Sequence, residues 1–135
     1  MEAHTIELVQ DSWRQVLPIS AVAGSLFYKN LFEADPALRS LFKGDMNAQA
    51  AKLIQMIDAA VGKLNDLDTL VPILQQLGRR HNGYGVLPSH YETVGGALLK
   101  TLEQGLGAAF TPATKDAWAS VYGVMAGVMS AEAPH

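Results

Sequence analysis

Leu77-Gly78-Arg79-Arg80-His81-Asn82-Gly83-Tyr84-Gly85-Val86 decides how this chain reads. An apolar helical pattern carries one imidazole and then breaks in glycines. His81 shares a face with Leu74 and Leu77. A histidine so placed is either a core residue satisfied locally or one axial ligand of a metal. The carbonyl of Leu77, one turn back, is within reach of Nδ1, and a proton held there leaves Nε2 as the basic nitrogen. Gly83 and Gly85 let the chain turn away and bring Val86 against whatever His81 faces.

Upstream, a second apolar helix carries Gln49 on one stripe with Leu53, Met56 and Ala60. Gln49 is either an edge glutamine in water or a neutral donor over a small ligand. Tyr28 either leaves its hydroxyl at the surface or aims it into the same space. Phe42 is a core aromatic or a ring stacked on a planar group. Together with His81, these residues describe a pocket for a flat, apolar, iron-bearing group.

The rest of the chain reads as helix. Ile6, Val9, Trp13 and Val16 follow three-and-four spacing, with Thr5 as the expected cap and Pro18 as the stop. Ser20 is expected to cap a second helix, and Asp35-Pro36 to open a short one running to Phe42. A long helix is expected over about 48–64, and Asp66 or Asp68 caps the next, with Pro72 in its first turns. Ser89 with Glu92 spells a capping box, Thr111-Pro112 opens the last helix, and the tail Ala133-Pro134-His135 is expected to fray. Unequal lengths and sharp breaks argue for helices crossing steeply around something, not for an up-down bundle.

At 135 residues the chain is expected to form one domain, 1–135. Apolar residues make up 49% and charged residues 17%, a surplus that a bound apolar group would use. The formal charge of −3 and the scattered basic residues exclude a nucleic-acid face. With no cysteine, disulfides, thiolate metal sites and iron–sulfur clusters are excluded. Met1-Glu2-Ala3-His4-Thr5 opens no secretory signal, and no apolar run approaches the ~20 residues of a membrane span. The chain reads as soluble and cytoplasmic. His4, His90 and His135 are expected to be ordinary surface or terminal residues.

Taken jointly, the motifs resemble the globin family, specifically the single-domain bacterial globins that are similar to neuroglobin. The matching stretches are Glu33-Ala34-Asp35-Pro36 to Leu41-Phe42, Ile57-Asp58-Ala59-Ala60-Val61, and Leu77-Gly78-Arg79-Arg80-His81. Phe110-Thr111-Pro112-Ala113-Thr114-Lys115, Ala117-Trp118 and Tyr122-Gly123 complete the set, which spans essentially the whole chain. The resemblance implies an all-α globin fold of six to eight helices around a haem b pocket. It makes His81 the proximal iron ligand and puts Phe42 against the haem. Gln49 falls at the distal position, Tyr28 at the second-helix site facing it, and Leu53 one turn beyond Gln49. Leu77, Val86 and Tyr91 resemble haem contacts, and Lys52 and Lys43 are candidates for the propionates.

Two departures from the family matter. Gln49 stands where neuroglobin has histidine, which implies five-coordinate ferrous iron. Glu132 is the nearest candidate for the late glutamate of flavohaemoglobin-like globins and lies out of register. The function implied is reversible binding of O₂, and of CO and NO, with high O₂ affinity from Tyr28 and Gln49. Nitric oxide dioxygenation or nitrite reduction with a separate reductase is the enzymatic alternative. A haem-based gas sensor or a cofactor-free helical interaction domain is the third.

Overall fold

The computed structural model describes residues 2–42, 44–83, 86, 87 and 89–132. The expectations placed on Lys43, Gly85 and the tail 133–135 lie outside them. Among the described residues there are six α-helices: α1 (Ala3–Val16), α2 (Ser20–Ala34), α3 (Met46–Gly62), α4 (Leu67–Gly83), α5 (His90–Leu106) and α6 (Pro112–Ser130). Tighter 3₁₀ turns run over Leu17–Ile19, Pro36–Leu41 and Gly107–Ala109. None of these helices is long and apolar enough to cross a membrane.

Several boundaries follow the expected chemistry. The Asp35 carboxylate accepts from the Ala37 N–H at 3.1 Å and opens the 3₁₀ turn at Pro36. Asp66 accepts from the Thr69 N–H at 3.3 Å at the start of α4, and Thr111 accepts from the Thr114 N–H at 3.2 Å. The long helix starts at Met46 and not at Ala48 because Asp45 caps it, accepting from the Asn47 N–H at 2.9 Å.

Three expected caps are absent. α1 begins at Ala3, so Thr5 already lies inside the first turn. Ser20 makes no cap, because its own backbone is helical at φ −58° and ψ −36°, and its N–H donates to the Leu17 carbonyl. Ser89 has helical φ/ψ of −64° and −24°, whereas a capping side chain needs an extended backbone, so no capping box with Glu92 forms. The His90 ring accepts from the Leu87 N–H at 3.0 Å instead.

The core gathers the inner stripes of α1, α2, α5 and α6, with Val9, Trp118 and Val121 fully buried. Several polar groups that enter it are paired. Trp118 Nε1 donates to Ser12 Oγ at 2.7 Å, and Asn30 bridges α2 to Thr101 of α5 at 3.0 Å. Trp13 Nε1 donates to Asp58 at 2.9 Å and ties α1 to α3. α4 packs on α6, whereas α3 packs on α2 and α1, and α3 and α4 have no extended packing of their own.

Candidate functional site

α2 and α3 cross at Gly24 and Ala50. A Cβ on Gly24 would stand 2.9 Å from the Ala50 Cβ, so only a residue without a side chain permits this approach. The crossing places Tyr28, one turn beyond Gly24, beside Gln49, the neighbour of Ala50. The Tyr28 hydroxyl donates to the Gln49 backbone carbonyl at 3.4 Å, a long and weak bond. Tyr28 is buried, and burial pushes its phenol up to about 12 from 10. The side chain of Gln49 is half-buried.

Tyr28 belongs to an aromatic group. Its ring centroid lies 5.2 Å from that of Phe27, 5.8 Å from Phe32 and 5.2 Å from Phe42. Arg39 lies over Phe32 at 5.7 Å and donates to the Phe42 carbonyl at 2.8 Å, which fixes the end of the 3₁₀ turn. Along α3 only Ala50 and Val61 are buried. Leu53, Ile54, Ile57 and Ala60 lean on the core but remain partly uncovered, as do Met46 and Phe42. So long an apolar face left incompletely covered is costly in water.

On α4, His81 is half-buried and its Nδ1 stands 2.7 Å from the Leu77 carbonyl oxygen. A carbonyl only accepts, so Nδ1 carries a proton, and in the tautomer this selects the lone pair lies on Nε2. The Val86 N–H donates to the His81 carbonyl at 3.1 Å. α4 meets α6 through Gly78, whose Cβ would fall 2.5 Å from the Met129 carbonyl oxygen. Next to this crossing, Arg79 pairs with Glu132 at 3.2 Å.

The structure brings Tyr28, Phe42 and Gln49 together in one group, and His81, Leu77 and Val86 in a second. Leu53 lies on the uncovered face of α3, while Lys52 is exposed. Tyr91 is buried, and its hydroxyl has no hydrogen-bond partner among the described residues. Its backbone carbonyl accepts from the Tyr122 hydroxyl at 2.6 Å. Burial raises both phenols, Tyr122 further because Tyr91 is near. Surface hollows of about 410 Å³ beside Ile6 and Leu64, and about 510 Å³ beside Leu8 and Ala117, involve none of these residues. Sequence reading singled out neither Gly24, Gly78 nor Tyr122 for the site. A glycine inside an apolar helical pattern was the available signal for the first two.

Six helices of unequal length, with a carbonyl-anchored histidine near the end of one and a partly uncovered apolar face on another, define the class. The chain belongs to the globin family, whose model matches residues 25–129. It is similar to neuroglobin of Danio rerio, 34% identical over 137 residues that cover 91% of this chain and 86% of that protein. Neuroglobin of Tetraodon nigroviridis is 34% identical over 138 residues, covering 92% and 87%. Among solved structures, an engineered carbene transferase of Rhodothermus marinus, described provisionally as a nitric oxide dioxygenase, superposes with a TM-score of 0.87. That pair is 25% identical and covers 98% of this chain and 92% of the other.

Proposed function

We propose that this chain binds haem b and uses it to hold O₂ reversibly, with CO and NO as further ligands. The observation that carries the reading is the 2.7 Å hydrogen bond between His81 Nδ1 and the Leu77 carbonyl. It fixes both tautomer and ring orientation, as an axial imidazole requires. The residues present fit the group: an imidazole oriented through Nδ1, an apolar face on α3 that the protein leaves partly uncovered, and a buried Tyr91 hydroxyl with no partner among the described residues.

Haem, if bound there, would supply an iron able to take a diatomic gas. His81 would hold the iron, and Phe42, Leu53, Leu77, Val86 and Tyr91 would line the porphyrin. Lys52 would lie near the propionates. Tyr28 and Gln49 would offer an O–H and a carboxamide N–H to a polar diatomic ligand. An absorbance spectrum of the purified protein tests the reading. A Soret band in the native protein that is lost in His81→Ala supports it, and pigment content and coordination unchanged in that variant would overturn it.

The Rhodothermus relative favours a second reading, nitric oxide dioxygenation. There NO and O₂ combine to nitrate, and a reductase must return one electron per cycle. Steady-state NO consumption that rises only when a reductase is supplied supports this reading. Consumption that stays stoichiometric with a reductase present leaves gas binding as the function.

A further inference from the structure

We propose that Gly78 is a positioning residue for His81, acting through the backbone-to-backbone crossing of α4 on α6 at Met129. The inference rests on the reading of His81 as the iron ligand and adds what holds that ligand in place. A Cβ on Gly78 would stand 2.5 Å from the Met129 carbonyl oxygen and 2.8 Å from its Cα. Both are backbone atoms, so no side chain can swing aside, and the two helices would have to part by about half an ångström or more.

The turn that would move is the one bearing the imidazole. Gly78 lies between Leu77, whose carbonyl holds Nδ1, and His81, three residues on and a neighbour on the helix surface. α6 is the main packing partner of α4. The Arg79–Glu132 ion pair sits at the same crossing, but the Arg79 side chain is 59% exposed and gives little orientation. Steric contact at Gly78, not charge, fixes the depth at which His81 stands.

The test compares the holoprotein of Gly78→Ala with that of Gly123→Ala, since Gly123 is a helical glycine with open space where its Cβ would go. Resonance Raman of the ferrous form reads the iron–histidine stretch, and transfer to apomyoglobin reads haem release. Gly78→Ala is expected to shift or split the stretch and to speed haem release by about tenfold, with Gly123→Ala matching the wild type. Thermal unfolding of the apoproteins separates this from loss of the fold.

Met129→Gly loosens the same crossing without adding an atom and should broaden the band relative to Met129→Ala. A wild-type band and release rate in folded Gly78→Ala overturn the proposal. If Gly78→Ala does not fold, equal band widths in the two Met129 variants overturn it. A wild-type protein with no iron–histidine band at all instead overturns the reading of His81.

Discussion

The phenol oxygen of Tyr28 stands 3.4 Å from the backbone carbonyl of Gln49, a long hydrogen bond between the second helix and the first turn of the third. A bond of that length holds the hydroxyl loosely, and turning it to a better acceptor costs little. A charge-polarised ligand such as iron-held O₂ would be that acceptor, and CO, far less polar, would not. Each donor, in a dry site, is worth ~1–3 kcal/mol. Tyr28→Phe and Gln49→Leu are therefore each expected to speed O₂ release about tenfold or more, with CO release nearly unchanged. Stopped-flow release rates equal to wild type would remove both residues from the ligand's surroundings.

On the proposed haem reading, glutamine at position 49 would also set the coordination number. A carboxamide is a poor iron ligand, so the dithionite-reduced protein is expected to be five-coordinate and high-spin. Gln49→His places an imidazole on the same half-buried stripe of α3. That variant should turn six-coordinate and low-spin in the ferrous state, with slower CO association. A low-spin ferrous spectrum in the unaltered protein would contradict the assignment.

Tyrosine burial gives stability an alkaline limit. In the fold the Tyr28 phenol is pushed up to about 12, against 10 in the unfolded chain. The neutral form is the one the fold favours, so this contribution is complete below pH 10. It is lost as pH rises from there toward about 12, where the folded state ionises too. Two units correspond to about 3 kcal/mol at most. Tyr91 and Tyr122 are shifted the same way. Urea unfolding of the apoprotein should show stability falling steeply above pH 10, and less steeply in Tyr28→Phe. Equal slopes would place the Tyr28 hydroxyl in water.

Much of this was legible in the sequence because it depends on local chemistry. The fold class follows from three-and-four spacing, and Asp35, Asp66 and Thr111 cap as short polar side chains do. His81 and Leu77 meet because one helical turn brings them together. What escaped depends on conformation or on distant contacts. Ser89 looks like a cap in composition, yet helical φ/ψ denies it the role. Tyr122 reaches the Tyr91 carbonyl across 31 positions of chain, which no local pattern encodes.

The Gly24–Ala50 crossing offers a test of what sets the distance between Tyr28 and Gln49. A methyl on Gly24 would meet the Ala50 Cβ at 2.9 Å, and overpacking of this kind costs about 1–3 kcal/mol. Gly24→Ala should lower stability by that amount and move Tyr28 away from Gln49, so O₂ release should also quicken. Ala50→Gly removes the opposing methyl and, alone, should cost about 0.5–1 kcal/mol for a glycine within a helix. Combined, the two place one methyl between the helices again, from the other side. The double variant is then expected to be more stable than the sum of the single losses implies, with O₂ release returning toward wild type. Strictly additive losses would mean that α2 and α3 are held apart by other contacts, and that the distance between Tyr28 and Gln49 is set elsewhere.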